Sequence, residues 1–404
     1  MRFLYTLALH LALPFALLRL WWRGRREPGY RESLGERFGR YSTDRAERLI
    51  WLHAVSVGEA RAAQPLVRGL AAAFPDHRLL MTCTTAAGRD MIRQVYGESV
   101  LAAYLPYDVP WAVQRFLEYF RPRLAVLMET EVWPNLVAAC ERNAIPLLLA
   151  NARLSEQSAA GYQRWASLAR PAFAAFRAVC AQSAADAERL RAIGAGNVEV
   201  TGSLKFDVEP DETKVAAGRQ WRRDLGRNVV LLASTREGEE EMLVNHSLEA
   251  LIVVVPRHPR RFDEVAQRAQ SRRSRQPQPA PGDRVHLGDT MGEMNFYYGA
   301  CDVAVIGGSI APRGGQNLIE ALAVGAPVIV GPHMFNFAEA TEFALRAGAA
   351  VQVADASSAM RMAADLLRDG GRRRAMSEAG KALCAAHRGA TARHLQACRR
   401  LLGL

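Results

Sequence analysis

The sequence predicts two doubly wound α/β domains in tandem, behind an apolar N-terminal segment. Three observations predict it. Short β-branched runs alternate with Ala-, Arg- and Leu-rich helical stretches, the pattern of parallel strands covered on both faces. The runs fall into two series, divided by the polar stretch Asp207–Gly226. Late in the second series, Asp302 to Pro332 reads as strand, Gly-rich turn, helix and strand, the unit that meets a nucleotide phosphate.

The chain opens on Phe3 to Trp22, about 20 residues, the length that crosses a bilayer core. His10, Pro14 and Arg19 interrupt it, Trp21 and Trp22 stand where an aromatic belt would lie, and Arg23, Arg25 and Arg26 follow. A secretory signal would carry its charge before the apolar run and a small-residue cleavage site after it. The segment therefore reads as a single membrane anchor, with a helix lying flat in the interface as the competing reading. The positive-inside rule then puts the globular part in the cytoplasm. Six arginines between Arg23 and Arg40 suit a basic segment held against anionic headgroups, and also the seating of an anionic lipid.

The first series of expected strands is Leu49–His53, Leu79–Thr84, Ala102–Pro106, Leu124–Met128, Pro146–Asn151, Ala178–Ala181 and Val198–Thr201. The second is Val229–Ala233, Ile252–Val255, Val285–Leu287, Val303–Ile306, Val328–Val330 and Ala350–Val353. Ligands of such sheets bind beyond the carboxyl ends of the strands, so a cleft between two lobes is the expected site.

Composition narrows the class. The 404 residues are 50% hydrophobic and 23% charged, with a net charge of +11, which fits two ordinary globular domains. Lys205, Lys214 and Lys381 are the only lysines among 52 basic residues, so a lysine at a motif position stands out. The six cysteines show no C-x-x-C spacing and read as reduced core residues. No metal-binding spacing is present, and neither a metal nor a cofactor is expected.

Polar clusters gather at strand ends. His53-Ala-Val-Ser-Val-Gly-Glu59 closes the first strand, and Ser56 with Glu59 also fits a capping box. Met128-Glu-Thr-Glu131 closes the fourth, where acids could complement a helix dipole. Gly202-Ser-Leu-Lys205 follows the seventh. In the second half, Pro256-Arg257-His258-Pro259 offers a phosphate clamp, and Gly288 to Glu293 could present backbone donors and a carboxylate to a base or sugar. Asn317-Leu-Ile-Glu320 opens a helix after the paired glycines. It fits an N-cap box, or a phosphate-facing loop with Glu320 near a ribose.

Taken in order, HAVSVGE, LPYDVP, METEVWPN, NARLS, TGSLKFD, VPRHPRRF, GDTMGE, IGGSIAPRGGQNLIEA and GPHMFNF resemble the lipid A 3-deoxy-D-manno-octulosonic acid (Kdo) transferases. The likeness runs from the anchor and PGYRESLGERFG to about Phe337. It implies a membrane-tethered inverting glycosyltransferase of the GT-B type, with two Rossmann-like domains facing across a cleft. Such an enzyme moves Kdo from CMP-Kdo to the anionic lipid A precursor at the cytoplasmic face of the inner membrane, with no nucleic acid as partner. The implied domains are an anchor (1–22), a basic juxtamembrane segment (23–47), an acceptor domain (48–206), a linker (207–226) and a CMP-sugar domain (227–404).

By the same resemblance Glu59 matches the catalytic base, and Glu129 and Lys205 match residues that stabilise the transition state. CMP binding maps to Pro256, Arg257 and His258, to Met291, Gly292 and Glu293, and to Asn317, Leu318, Ile319 and Glu320. Arg236 and Gln316 depart from the pattern, each standing where the family carries His, and the stretch between Glu240 and Leu251 is short. Two other readings compete. One is a transferase or epimerase acting on UDP-sugars; the other is a tethered anion-binding protein, which leaves Glu59, Glu129 and Glu131 without a role.

Overall fold

The structure, a computed structural model, describes residues 1–25, 27–43, 46–207, 209–246 and 248–404. Arg26 of the basic run and Val208 of the expected linker lie outside the described residues. The chain forms two compact units. Unit 1 holds residues 1–207 together with 388–404, and unit 2 holds 208–387.

Among the described residues, unit 1 is built on seven strands: β1 (Leu49–His53), β2 (Arg78–Cys83), β3 (Val100–Tyr104), β4 (Leu124–Met128), β5 (Leu147–Ala152), β6 (Ala178–Ala181) and β7 (Val198–Val200). All pairings are parallel, in the order β3-β2-β1-β4-β5-β6-β7, so the winding reverses between β1 and β4. Both faces of this sheet are buried, which is why its strands read as apolar runs without alternation. Leu49 and Trp51 of β1 join Ala125 and Leu127 of β4 in one core. Ile50 and Leu52 join Leu124, Val126 and Met128 in the core on the opposite face.

Unit 2 repeats the plan with β8 (Val229–Thr235), β9 (Leu251–Pro256), β10 (Ser271–Arg272), β11 (Val285–Leu287), β12 (Val303–Ile306), β13 (Val328–Val330) and β14 (Ala350–Gln352). Its order is β10-β11-β9-β8-β12-β13-β14, again all parallel, with the reversal between β8 and β12. Every expected strand is present. The two-residue edge strand β10 was not expected, because it lies in a polar arginine-rich stretch with no apolar run to mark it.

Two expectations about domain limits change. The stretch expected as a linker is mostly a helix, Glu212–Leu225, capped by Asp211, whose side chain accepts from the Lys214 amide. Val215, Gly218 and Trp221 bury one face of it. Gly218 and Gly299 let this helix meet Met294–Ala300 backbone to backbone: a Cβ at Gly218 would stand 2.0 Å from the Phe296 carbonyl oxygen. The second correction concerns the C-terminus. The last helix, Ala390–Leu402, leaves unit 2 and packs on unit 1, where Ala390, Ala397 and Cys398 are fully buried.

Candidate active site

In unit 1 the polar groups stand where the winding reverses, the place at which doubly wound sheets bind ligands. β1 leads through Ala54 and Val55 into the helix Val57–Ala62, capped by Ser56, whose hydroxyl accepts from the Glu59 amide at 3.3 Å. The Glu59 carboxylate folds back, accepting from the Val55 amide at 2.8 Å and from the Ser56 hydroxyl at 3.0 Å. The capping arrangement is therefore real, shifted by one residue toward the strand. It holds the carboxylate in place without neutralising it. Burial, and then the charges of Glu129 and Glu131, push the Glu59 carboxyl up to about 7, against the hydrogen bonds from Val55 and Ser56.

Glu129 follows β4 directly and adopts φ +56°, a left-handed conformation rare for a side chain with a Cβ. Its amide donates to the Ala150 carbonyl at 2.8 Å, fixing the turn against the end of β5. Burial and the Glu129 charge also raise the Glu131 carboxyl. Three carboxylates thus share the reversal point.

Lys205 reaches the same edge by a route that motif spacing did not reveal. Asn151, at the end of β5, is fully buried and also left-handed, with φ +52°. Its side-chain oxygen accepts from the Leu204 amide at 3.0 Å, and its own amide donates to Nε2 of His394 at 2.9 Å. His394 lies on the last helix, with Nδ1 2.7 Å from the Ala390 carbonyl oxygen. Burial lowers its pKa to about 4, which keeps Nε2 free to accept. Asp207 closes the other side of the turn by accepting from the amides of Gly389 and Thr391 at the start of that helix. Arg393 Nε donates to the Thr201 carbonyl at 2.8 Å. The turn that carries Lys205 is clamped by a helix that begins almost two hundred residues later. Within unit 1 the Glu129 amide bonds the Ala150 carbonyl, and the side chain of the next residue, Asn151, bonds the Leu204 amide in the Lys205 turn.

Unit 2 gathers a second polar group beyond β8, β9 and β12. Pro256 ends β9, and Arg257 Nε donates to Oε1 of Gln316 at 3.0 Å. The departure from His at 316 therefore supplies an acceptor that orients the expected phosphate clamp. Burial lowers the His258 pKa, helped by the charges of Arg236, Arg257 and Arg260.

The Gly-rich turn holds a partner that its sequence did not suggest. It was expected to bring the backbone close to a ligand, with the N–H groups of the following helix facing an anion; an acid bound inside the turn was not expected. The fully buried carboxylate of Glu239 accepts from the amides of Gly308 (2.6 Å), Ile310 (3.1 Å), Ala311 (3.1 Å) and Arg236 (2.9 Å). An internal acid occupies the cradle. The glycines still have work: Gly314 and Gly315 take φ +86° and +73°, and a Cβ on them would strike Asn336 and Met334 of the GPHMFNF loop.

Asn317 and Glu320 pair with each other rather than forming a capping box. The Asn317 amide donates to Glu320 at 2.9 Å and its oxygen accepts from the Ile319 amide at 3.0 Å, so the helix starts at Ile319, with Leu318 as its cap. In the Gly288–Glu293 turn, Met291 is exposed and Gly292 takes φ +78°. The Glu293 carboxylate is engaged by Arg273 (3.2 and 3.3 Å) and by Thr290. Burial pushes that carboxyl up, but these bonds outweigh it and hold it below the usual range. Glu293 thus braces the turn, and Lys214 Nζ braces it from the other side by donating to the Gly292 carbonyl at 3.1 Å.

Comparison with known proteins follows the same lines. Residues 32–208 match a family model described as 3-deoxy-D-manno-octulosonic-acid transferase. A 3-deoxy-D-manno-octulosonic acid transferase of Bordetella pertussis is 45% identical over 429 residues, covering 100% of both chains. One of Haemophilus influenzae is 34% identical, covering 98% of this chain and 97% of the relative. Among solved structures, Anabaena HepE in complex with UDP covers 88% of this chain and 100% of its own, at 16% identity and a TM-score of 0.58. A UDP-GlcNAc 2-epimerase of Neisseria meningitidis covers 87% of this chain and 100% of its own, at 16% identity and a TM-score of 0.58. These two share the GT-B-type fold of paired Rossmann-like units, and no more follows from them.

Proposed function

The chain belongs to the 3-deoxy-D-manno-octulosonic acid (Kdo) transferase family, and from that premise we propose how its residues carry Kdo from CMP-Kdo to the lipid A precursor. It is a glycosyltransferase. The acceptor is an anionic glucosamine disaccharide lipid, and the reaction proceeds with inversion. The acceptor hydroxyl oxygen bonds to the ketosidic carbon while the bond from that carbon to the phosphate oxygen breaks. The electron pair leaves on CMP and the hydroxyl proton passes to Glu59.

One observation carries this reading: a carboxylate held by two hydrogen bonds at the reversal point of the unit 1 sheet, raised to about 7 by burial and two neighbouring acids. A general base is most effective when its pKa lies near the working pH. Glu129, fixed in its left-handed turn, and Lys205, clamped through Asn151 and Asp207, stabilise the charge that develops on the donor. In unit 2, Arg257 faces the CMP phosphate, oriented by Gln316, with Pro256 and His258 beside it. The turn of Met291 and Gly292, braced by Glu293, receives the base or ribose, and Asn317 to Glu320 line the sugar. Unit 1 serves the acceptor and unit 2 the donor. The N-terminal helix holds the enzyme at the cytoplasmic face of the inner membrane.

Mass spectrometry of the lipid product tests the reading. Detergent-solubilised protein is incubated with CMP-Kdo, generated in situ, and tetra-acylated lipid A precursor. The expected result is a mass gain of one or more Kdo units. No gain from folded protein, beside a transferase that works in the same mixture, points to another sugar nucleotide.

A further inference from the structure

The N-terminal helix, Arg2–Arg23, is long and apolar enough to cross a membrane, yet its contacts are those of a strap. Along it, the side chains that lose exposure are Tyr5, Thr6, Leu9, Leu13, Ala16 and Leu20. Apart from Thr6 they recur at steps of four, four, three and four residues, one line down one face of a helix. That line is about 22 Å long.

Both of its ends are tied to unit 1. Near the start, the Tyr5 hydroxyl donates to Asp108 at 3.0 Å and the Thr6 hydroxyl to the Asn135 side-chain oxygen at 3.1 Å. Near the end, Leu20 is buried with Tyr30, Ala86 and Tyr107, and Arg31 donates to the Trp21 carbonyl at 3.0 Å.

The opposite face is exposed. Phe3, Leu7, Leu11, Phe15, Leu18 and Trp22 recur at the same spacing about half a turn away. They are open to solvent, with Phe3, Leu11 and Phe15 at 77%, 67% and 74% exposure. The helix carries no acid, and Arg2, Arg19 and Arg23 on it, with Arg25 and Arg31 beyond it, are exposed. Glu27 and Glu32 are the first exposed acids that follow it in the sequence. An apolar stripe on a helix with exposed arginines at both ends, Arg2 at the start and Arg19 and Arg23 near the finish, is complementary to an anionic phospholipid surface.

A spanning helix with its arginine end in the cytoplasm would put Tyr5 at the far leaflet. Asp108 cannot follow it there. It is buried, and its carboxylate also accepts from the amides of Asn135 (3.0 Å) and Leu136 (2.7 Å), capping the helix Pro134–Arg142 inside unit 1. A carboxylate drawn into the hydrocarbon is strongly disfavoured.

We propose that this helix does not cross the bilayer but lies in the plane of an anionic phospholipid surface, strapped to unit 1 along Tyr5–Leu20, with Phe3, Leu7, Leu11, Phe15, Leu18 and Trp22 in the lipid. The inference rests on the membrane attachment proposed above. It also ties the lipid-facing element to the site, because the helix that Asp108 caps begins directly after the turn of Glu129 and Glu131.

The test uses the full chain with Arg2→Cys and, separately, His10→Cys. Each is treated with a membrane-impermeant maleimide in intact spheroplasts and in inside-out inner-membrane vesicles, against the background of the native cysteines. Position 2 should stay at background in spheroplasts and label fully once detergent is added, and both positions should label in inside-out vesicles. Labelling of position 2 from the outside overturns the proposal. So does a position 10 that resists the reagent from both sides until detergent is added, as the centre of a span would. Flotation with vesicles of phosphatidylglycerol and phosphatidylethanolamine separates the two readings. Unmodified protein that fails to float refutes the attachment itself, whereas floating protein labelled from outside refutes only the in-plane placement.

Discussion

At the scale of single residues, Glu59 does two jobs that compete. Its carboxylate fastens the start of a helix, and its raised pKa suits it to take a proton. Glu59→Gln keeps one oxygen for the Val55 amide but no basic group. Transfer should fall by about 10²–10⁴-fold, the range of a general base, while the circular dichroism spectrum is unchanged. In the wild type the rate at low substrate should climb with pH through about 7, because only the ionised carboxylate accepts the proton. Stability should run the other way. A carboxyl raised from 4.5 to about 7 binds its proton more tightly in the fold than in the unfolded chain. Its stabilising effect is full below pH 4.5 and is lost as pH rises through 7, by on the order of 1–3 kcal/mol. Glu59→Gln should lack that slope in urea unfolding. The acid itself was legible from S-x-x-E at a strand end. Its environment was not, since Glu129 and Glu131 approach it only through the pairing of β1 with β4.

At the scale of elements, the Gly-rich turn is the place where motif reading and structure part. A strand, paired glycines and a helix suggested a backbone close to a ligand and helix N–H groups facing a phosphate, with no internal partner for the turn. The structure gives three amides early in the turn to Glu239, an acid that sits some seventy residues earlier in the chain. Local patterning cannot reveal such a partner, because the contact exists only once β8 and β12 lie side by side. The arrangement makes Glu239 a determinant of the shape of the turn. Glu239→Gln leaves one oxygen for four donors and sets an amide against the rest, each unsatisfied buried group costing about 1–3 kcal/mol. Melting temperature should drop, and CMP affinity, measured by calorimetric titration, should weaken with it. Glu237→Gln is the control. That acid is partly exposed and pairs with Arg236 and Arg260, and its loss should cost no more than about 1 kcal/mol. An equal effect from the two variants would deny Glu239 its organising part.

At the scale of the whole molecule, the two sheets were legible as two series of apolar runs, but the path of the chain was not. Nothing in the composition of Ala390–Leu402 distinguishes it from the helices of unit 2 that precede it. Its destination follows from three-dimensional fit: Ala390, Ala397 and Cys398 complete the core beneath β1 and β4, and His394 and Asp207 join it to the turn of Lys205. Unit 1 is therefore discontinuous, whereas unit 2 is drawn from one stretch of chain. Removing the last helix should then damage the half of the molecule farthest from it in sequence. In a chain ending at His387, limited proteolysis should release a resistant fragment from unit 2, while unit 1 is digested. The open core and the unpaired groups at Asn151 and Asp207 are the cause. A peptide of residues 388–404 added to that chain should restore protection to unit 1, at a concentration that a His394→Ala peptide does not match. Equal protection of both units without the helix would show that the sheet of unit 1 closes its own core, and that the clamp on Lys205 contributes nothing to its fold.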